Sequence, residues 1–443
     1  MDSDYLHSIL NAHVYDIAIA TPLEQADGLS ERLKNTVLLK REDLQPVHSF
    51  KLRGAYNKMA RMQSAEIERG VVCASAGNHA QGVALAAKEM GITAYIVMPL
   101  STQSIKVRAV EALGGEVLLE GANYDAAQAA AVELSEERQL PLIHPFDDPD
   151  IIAGQGTIGL EIHRQTSGEI DMVFVPVGGG GLIAGMAAYL KSVSPEIKVI
   201  GVEPEDAASM HAALAAGEPV TLDEVGTFAE GVAVRRVGAE TFRLCQEFVD
   251  EIVLVDNDEI CAAIQDIFEA TRAISEPAGA LALAGLKRFV TERGVHDQKL
   301  VAVNSGANLN FDRLRHIADR AAIGEQREAL FAVEIPEQPG SFVKFCEAIG
   351  DRNITEFNYR YHDAQKAQIF VGIELHDGDR EREIILNELA DADYRVIDIS
   401  HNELAKLHIR YMVGGATVSL EDERVYRFRF PERPGALRAF LQA

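Results

Sequence analysis

The stretch MVFVPVGGGGLIAGMAAYLK, residues 172–191, decides the fold of this chain of 443 residues. Its first six residues are apolar, which is typical of a strand buried on both faces. The four glycines Gly178–Gly181 follow, and the rest has the composition of a helix. Four glycines let the backbone turn sharply and aim successive N–H groups at one point, near the positive end of the helix. The stretch therefore predicts a strand–loop–helix unit that binds an anion, most economically a phosphate; a glycine turn without a ligand is the alternative.

Apolar segments on both sides of this unit repeat the strand–helix order. The predicted strands are Val71–Ala74, Ala94–Met98, Glu116–Leu119, Leu140–His144, Met172–Val177, Lys198–Val202, Glu251–Val255 and Leu300–Asn304. Ala-rich helices, such as 81–90 and 122–137, lie between several of them, whereas residues 5–19 and 23–33 are predicted to form helices before the first strand. This spacing indicates right-handed βαβ units in largely parallel sheets, with ligands at the carboxyl ends of the strands.

Composition excludes several classes of function. The net charge of -26, from 42 basic and 68 acidic residues, argues against a nucleic-acid or anionic-membrane partner. The four cysteines are far apart and have no metal-like spacing, which favours a reducing cytosol. The first residues show no signal-peptide pattern, and no run of about 18 apolar residues predicts a membrane span.

The segment SFKLRGA, residues 49–55, predicts the start of a helix with Ser49 as its N-cap and Lys51 in its first turn. The helix macrodipole there lowers the pKa of a lysine and favours the neutral amine, which can attack a carbonyl to form a Schiff base. On its own the position is weak evidence, because most lysines in a first helical turn are solvated surface residues. The assignment of Lys51 as a nucleophile therefore depends on the other loops.

Two further loops follow predicted strands. In SAGNHAQG, residues 75–82, small residues at a helix start suit a carboxylate, and Asn78 is a neutral donor for a phenolate oxygen. A helix cap is the alternative for Asn78, and a packed or solvated histidine for His79. In VNSGAN, residues 303–308, the Ser305 hydroxyl can bond a ring nitrogen but cannot hold a full positive charge on it; a turn residue is the alternative.

The glycine stretch also has a rival interpretation. Gly179, Gly181 and Ala184 formally fit the dinucleotide fingerprint, and Glu203 ends the next strand, where a ribose-binding acid would lie. That pattern would indicate a nicotinamide-dependent oxidoreductase. It leaves Lys51 and Asn78 without a role.

Taken together, SFKLRGA, SAGNHAQG, VGGGGL, NSGAN and the SEPAGA segment with Glu276 resemble the threonine dehydratases. These are pyridoxal-phosphate enzymes with a two-lobed α/β catalytic domain of the tryptophan-synthase-β type, fold type II. The resemblance covers residues 1–320. It implies that the reaction is β-elimination, with L-threonine giving 2-oxobutanoate and ammonia.

The resemblance also implies a role for each matching residue. Lys51 would hold pyridoxal phosphate covalently and, once released, take the α-proton. The phosphate would bind to the main-chain N–H groups of Gly178, Gly179, Gly180, Gly181 and Leu182. Asn78 would contact the 3′ oxygen and Ser305 the pyridine nitrogen, while the loop of Ser75, Ala76, Gly77 and His79 would bind the substrate carboxylate.

Two departures from relatives refine this expectation. Serine racemases resemble this chain but have a second serine where Ala76 stands, which favours dehydration over racemisation here. Some relatives bind a divalent cation through a Glu-x-x-x-Ala-x-Asp run. Here Glu203 and Ala207 match but Ser209 replaces the aspartate, so no metal site is expected.

The region after the catalytic part has a different pattern. A charged helix over 311–329 leads into a β-turn-α-β-β order that resembles the ACT-like modules of biosynthetic threonine dehydratases. We expect a catalytic domain over 1–320, a linker over 321–329, a first module over 330–425 and the start of a second over 426–443. The resemblance implies isoleucine as inhibitor, valine as its antagonist, a homotetramer and a cytoplasmic location.

An internal repeat supports the duplication. FAVEIPEQPGSFVKF, residues 331–345, is echoed by YRFRFPERPGALRAF, residues 426–440, with matching Pro, Glu, Pro and Gly positions. The second copy ends soon after its turn, which predicts a truncated module and a weakened or absent isoleucine response. Alternatives to threonine dehydration are a serine dehydratase with the same cofactor, the nicotinamide oxidoreductase and an amino-acid-binding regulator.

Overall fold

The computed structural model describes residues 3–325, 327–361, 366–402 and 415–416, and these divide between Arg313 and Leu314 into two compact units. The second copy of the internal repeat lies outside the described residues. The strands of the first unit are β1 (Leu23–Gln25), β2 (Thr36–Arg41), β3 (Val71–Ala74), β4 (Ala94–Met98), β5 (Glu116–Leu119), β6 (Met172–Pro176), β7 (Lys198–Pro204), β8 (Glu251–Val255) and β9 (Lys299–Asn304). Its helices are α1 (Ser3–Leu10), α2 (Asp27–Leu33), α3 (Lys51–Arg61), α4 (Ser64–Ile67), α5 (Asn78–Met90), α6 (Ser104–Ala112), α7 (Tyr124–Arg138), α8 (Pro149–Thr166), α9 (Gly181–Val193), α10 (Ser209–Ala216), α11 (Ala239–Phe248), α12 (Asn257–Thr271) and α13 (Pro277–Arg293).

The strands of the first unit form a large and a small sheet. The large sheet has the order β1-β2-β9-β6-β7-β8 and the small one the order β3-β4-β5. Every pairing in them is parallel except that of β1 with β2. All five residues of β6 are buried, as expected for a strand covered by helices on both faces. The predicted two-lobed α/β fold is confirmed.

Helix α3 is shared by the two lobes, because it packs on α5 beside the small sheet and on α8 beside the large one. Glycines allow this close approach: a Cβ on Gly154 of α8 would lie 2.7 Å from the Cα of Gly54 on α3. A side chain there would push the two helices apart. The packing fixes the start of α3, where Lys51 is the first helical residue.

Several predicted elements are wrong. The charged helix expected over 311–329 is α-helical only over Leu314–Gly324, because a strand of the second unit already begins at Glu328. The first helix ends at Leu10 rather than continuing to residue 19. Residues Leu23–Gln25, which were expected to be helical, pair with β2 instead, so that α2 begins only at Asp27. Residues 140–144 form a single bridge, Val72 with Leu142, and not a strand. For residues 23–25, pairing with a distant strand outweighs the local helical pattern.

The second unit is a small α+β fold. Its strands are β10 (Glu328–Pro336), β11 (Ile354–Tyr361), β12 (Lys366–Glu374), β13 (Arg395–Asp398) and β14 (Gly415–Ala416), and its helices are α14 (Leu314–Gly324), α15 (Ser341–Ile349) and α16 (Gly378–Asp391). The sheet has the order β13-β10-β12-β11-β14, in which all pairs are antiparallel except β11 with β14. Phe345 on α15 and Leu389 on α16 are buried against its strands in one apolar core. No helix among the described residues is both long enough and apolar enough to cross a bilayer.

Candidate active site

A pocket in the first unit brings together residues from several strand ends. Its lining comprises Phe50, Lys51, Asn78, Phe146, Pro176, Gly178, Gly179, Gly180, Gly181, Leu182, Gly231, Val232, Glu276, Ala278 and Ser305. One cavity thus brings together four features that the sequence identified separately: Lys51, Asn78, the glycine loop and Ser305. Ser75, Ala76, Gly77 and His79 are outside this lining, although Gly77 directly precedes Asn78 at the start of α5.

Lys51 is held at the start of α3 with its amine inside the protein. Its Nζ donates a hydrogen bond to the carbonyl oxygen of Pro145 at 3.0 Å. Burial lowers the pKa of Lys51 to about 8, and the nearby Glu276 carboxylate partly opposes this shift. The lowered pKa was expected from the helix dipole, but burial is its main cause.

The predicted cap of this helix is wrong. Phe50 and not Ser49 precedes the first helical residue, and no side chain caps the helix. Ser49 pairs through its backbone with Gly306, and its hydroxyl is buried without a hydrogen-bond partner among the described residues. The N–H of Phe50 instead donates to the Ser305 carbonyl oxygen at 3.3 Å. Long-range contact with the end of β9, rather than a local cap, therefore positions Lys51.

The glycine loop forms a cradle of main-chain donors between β6 and α9. Within the described residues, nothing accepts a hydrogen bond from the N–H groups of residues 178–182. Gly180 has φ of +94°, in the left-handed region that favours glycine. A Cβ on Gly179 would lie 2.3 Å from atoms of the Phe146 ring, so only glycine fits there. Free N–H groups at the start of a 13-residue helix suit a phosphate.

Asn78 is oriented by two partners rather than acting as a helix cap. Its Nδ2 donates to Oε1 of Glu276 at 2.5 Å, and its Oδ1 accepts from Nδ2 of Asn308 at 2.7 Å. Asn308 is itself fixed, since the same nitrogen donates to the Val47 carbonyl oxygen at 2.8 Å. With its oxygen engaged, Asn78 keeps one N–H for a ligand in the pocket.

Glu276 and Ser305 complete the polar lining. Burial raises the pKa of Glu276 to about 7, and the hydrogen bond from Asn78 opposes this shift. Gly306 makes room for Glu276, because a Cβ there would lie 2.5 Å from its Oε1. Ser305 is 4% exposed, and its hydroxyl donates to the Ala278 carbonyl oxygen at 3.3 Å. The groups that face a bound ring are thus neutral or weakly acidic.

His79 does not line the pocket. Its Nε2 lies 2.9 Å from the carbonyl oxygen of Ile143, which identifies that nitrogen as the donor. Burial and the neighbouring Lys51 lower the pKa of His79 to about 3, so the imidazole is neutral. A contact between His79 and the substrate carboxylate stays a prediction. In this structure the imidazole Nε2 is hydrogen-bonded to the Ile143 carbonyl oxygen.

The sequence did not predict that the loop His144–Asp147 contributes to the site. Pro145 supplies the acceptor for Lys51, Phe146 lies against Gly179, and Asp147 reaches the start of α11. His144 shapes the turn, since its Nδ1 accepts from the N–H of Asp147 at 2.8 Å. The Asp148-Pro149 pair, a signal for a helix start, marks the end of this loop. Nothing local in the sequence signals its contact with the pocket.

Glu203 does not fit the rival interpretation. Its two carboxylate oxygens accept the main-chain N–H groups of Met210 and His211, each at 2.8 Å. It is fully buried, and burial raises its pKa to about 7. Glu203 therefore caps α10 and is not presented to a ribose. The nicotinamide interpretation of the glycine loop is wrong.

Comparison with known proteins agrees with this geometry. A family described as pyridoxal-phosphate dependent enzyme matches residues 14–306, and one described as the C-terminal regulatory domain of threonine dehydratase matches residues 319–409. The chain is 56% identical over 440 residues to the biosynthetic L-threonine dehydratase of Pasteurella multocida, covering 99% of this chain and 85% of that protein. The chain belongs to the biosynthetic threonine dehydratase family.

Other members of the family, and related structures, lead to the same conclusion. The biosynthetic threonine dehydratase of Escherichia coli is 55% identical over 439 residues, covering 99% of this chain and 85% of that protein. The processed form of threonine deaminase isoform 2 from Solanum lycopersicum matches with a TM-score of 0.71 at 52% identity, over 72% of this chain and 93% of that one. Maize serine racemase matches with a TM-score of 0.67 at 32% identity, over 70% and 95%. As a member of the threonine dehydratase family, the chain is a pyridoxal-phosphate-dependent lyase. It has a catalytic domain of fold type II and a C-terminal regulatory domain.

Proposed function

We propose that this chain is an L-threonine dehydratase that converts threonine to 2-oxobutanoate and ammonia, the first step of isoleucine biosynthesis. Its relatives carry that activity in their names, at 52–57% identity over nearly the whole chain. One observation best supports the proposal: the buried Lys51 amine and the glycine cradle line the same pocket.

The residues of the pocket fit pyridoxal phosphate. When bound, this cofactor supplies an electron sink for negative charge that develops at the substrate Cα. The free N–H groups of residues 178–182 would hold its phosphate, and the remaining N–H of Asn78 its phenolic oxygen. Ser305, a neutral hydroxyl, would face the ring nitrogen without forcing it to carry a full charge. That arrangement disfavours a long-lived carbanion and favours prompt loss of the β-hydroxyl.

Lys51 has the properties required of the group that moves the α-proton. With its pKa near 8, an appreciable fraction of the amine is neutral at physiological pH, and the neutral form accepts a proton from the substrate Cα. The Pro145 carbonyl oxygen then gives the protonated amine an acceptor at 3.0 Å. Burial excludes water, which limits loss of that proton to solvent.

The loop of Ser75, Ala76 and Gly77 is the proposed site for the substrate carboxylate. It leads into the first turn of α5, a 13-residue helix whose N–H groups carry partial positive charge. Ser75 stabilises the turn, since its hydroxyl accepts from the N–H of Gly77 at 3.2 Å. Ala76 offers no hydroxyl that could return a proton to the opposite face of the substrate, which favours elimination over racemisation.

The proposal is tested by comparing threonine and serine as substrates. We expect release of 2-oxobutanoate from threonine with a higher kcat/KM than release of pyruvate from serine, with no nicotinamide consumed. Products are measured as hydrazones and ammonia independently, so that both halves of the reaction are seen. Faster turnover of serine would indicate the serine dehydratase alternative, and no oxoacid from either substrate would contradict the proposal.

The lowered pKa of Lys51 predicts how the chain takes up its cofactor. After the cofactor is removed, the rate of covalent attachment of added pyridoxal phosphate should rise with pH up to about 8 and then level off, because only the neutral amine reacts. A solvated lysine would keep gaining rate up to its usual pKa of 10.5. Since the Glu276 carboxylate raises the pKa of Lys51, Glu276→Gln should move the midpoint to lower pH. Stopped-flow absorbance measures both midpoints; an unmoved or raised midpoint in the variant would contradict this.

We also propose that the C-terminal unit senses a branched-chain amino acid, with isoleucine as inhibitor and valine as its antagonist. The match of residues 319–409 to a threonine dehydratase regulatory domain supports an effector site there. Isoleucine should raise the threonine concentration needed for half-maximal turnover, and valine should reverse that shift. A chain that binds neither amino acid in isothermal titration calorimetry would contradict the proposal.

The proposed setting is the cytosol and the proposed assembly a homotetramer. Three of the free cysteines, Cys73, Cys245 and Cys261, are buried as thiols, as expected in a reducing compartment. The tetramer rests on the family resemblance. Light scattering during size-exclusion chromatography tests it, and a single monomeric peak would contradict it.

A further inference from the structure

The carbonyl group of Gly179, in the middle of the phosphate cradle, is held from outside the pocket by Thr241. The Thr241 hydroxyl donates to the Gly179 oxygen at 2.7 Å, and it also lies 3.2 Å from the Gly238 oxygen. Thr241 is fully buried and is not part of the pocket lining. The bond therefore fixes the direction of one peptide carbonyl without occupying space needed by a ligand.

The direction of that carbonyl determines the direction of the next N–H. In a planar trans peptide the C=O of Gly179 and the N–H of Gly180 point to opposite sides. Because the carbonyl points at Thr241, outside the lining, the N–H points to the other side of the loop, where the pocket lies. Gly180 has φ of +94°. Because glycine adopts many backbone conformations at similar energy, a loop of four glycines does not by itself hold this peptide in one orientation. A flipped peptide would present a carbonyl oxygen to the anion, which is repulsive.

Asp147 fixes the position of Thr241. Thr241 lies in the first turn of α11, and Asp147 accepts all three N–H groups of that turn. Its Oδ2 accepts from Ala239 at 2.9 Å, and its Oδ1 accepts from Glu240 at 3.0 Å and Thr241 at 3.2 Å. A carboxylate at a helix N-terminus is stabilising because it satisfies free donors and opposes the dipole.

The same loop reaches the reactive amine. Directly before Asp147, the Phe146 ring lies against Gly179, and the Pro145 oxygen accepts the hydrogen bond from Lys51. Residues 145–147 thus contact Lys51, the glycine loop and α11.

We infer that Thr241 is a positioning residue for the cofactor phosphate: its hydroxyl locks the Gly179–Gly180 peptide so that the Gly180 N–H faces the phosphate. Asp147 supports it by fixing the start of α11. The inference rests on the proposed binding of pyridoxal phosphate by residues 178–182. It assigns a role to a side chain that does not touch the pocket and that no loop motif identifies.

The test compares two ligands that differ only in the phosphate. Pyridoxal phosphate and pyridoxal both carry the aldehyde that reacts with Lys51, so the ratio of their dissociation constants isolates the contribution of the phosphate. The full 443-residue chain is stripped of cofactor and titrated with each ligand. The set comprises the wild type, Thr241→Val, Thr241→Ala and Thr241→Ser, with Thr271→Val as matched control. Thr271 donates a similar bond, to the Ile267 oxygen at 2.7 Å, away from the pocket.

In Thr241→Val and Thr241→Ala we expect the preference for pyridoxal phosphate over pyridoxal to fall about tenfold, which corresponds to about 1.4 kcal/mol. Thr241→Ser and Thr271→Val should keep the wild-type preference within about twofold, because each leaves the hydroxyl bond to Gly179 intact. Unchanged binding of pyridoxal shows that the variants retain a folded pocket.

Several outcomes would overturn the inference. They are an unchanged preference in both hydroxyl-deleted variants, an equal loss in Thr241→Ser, or a parallel loss of both ligands that indicates general loosening. If the wild type itself showed no preference for the phosphate, the assignment of residues 178–182 would fail instead. The two failures are therefore distinguishable.

Discussion

Replacing Lys51 by alanine is expected to lower the turnover of threonine by at least about 10³-fold, within the range by which positioned acid–base groups accelerate reactions. The reason is that Lys51 is both the proposed covalent anchor of the cofactor and the group that takes the α-proton. Within the described part of the pocket lining no second lysine can replace it. Single-turnover measurements of 2-oxobutanoate release at saturating pyridoxal phosphate give the size of the loss.

A matched lysine and an added amine make this result specific. Lys58 lies on the same helix, half-buried beside Asp148 at 2.8 Å, and Lys58→Ala should keep turnover within about fivefold because its ion pair contributes little. A small alkylamine in the buffer should restore part of the activity of Lys51→Ala, since it supplies a neutral base. Turnover of Lys51→Ala within tenfold of the wild type would contradict the assignment.

Arg53→Met is expected to destabilise the catalytic unit by about 3–5 kcal/mol, because it leaves one buried negative charge of the Glu42–Glu161 pair uncompensated. Arg53 is fully buried two residues after Lys51. It donates to Glu42 at 2.8 Å through Nε and through Nη2, and to Glu161 at 2.6 Å through Nη1. Burial would lower the pKa of Arg53, but Glu42 and Glu161 raise it above its usual value. With Lys40, which donates to Glu161 at 2.6 Å, the four charges balance.

The balance of charge provides the control. Arg53→Met leaves one uncompensated negative charge, whereas Arg53→Met combined with Glu42→Gln is neutral again and should recover more than half of the lost stability. Arg61→Met removes a half-exposed arginine from the same helix and should cost less than about 1 kcal/mol. Calorimetry should show a fall in Tm of roughly 5–10 °C for Arg53→Met. Equal falls for the single and double variants would contradict the charge argument.

The sequence was sufficient for the features that depend on local pattern. Apolar segments followed by glycine or polar loops identified strands at 71–74, 94–98 and 172–176, because buried parallel strands have continuous apolar sequences. It was less informative about β2, whose end carries Lys40 and Arg41. Both are buried, and charged residues are buried only where a partner neutralises them, which a local pattern does not reveal.

The candidate site shows the same division. Lys51, Asn78, the glycine loop and Ser305 could be identified because each follows a strand or begins a helix with an unusual residue. The partners that orient them could not: Pro145 meets Lys51 across 94 residues, and Thr241 meets Gly179 across 62. Hydrogen bonds between distant segments depend on how the lobes pack. The pKa of Lys51 illustrates the point, because burial between α3 and its neighbours, rather than the local helix dipole, is its main cause.

Lys51 is the residue that we propose binds pyridoxal phosphate covalently. This assignment is tested most directly by reducing the cofactor-loaded protein with borohydride and mapping the modified peptide by mass spectrometry. We expect loss of the visible absorbance band on reduction and a phosphopyridoxyl group on Lys51. A label on Lys40, Lys58 or any other lysine, or a protein that carries no label at saturating cofactor, would contradict it.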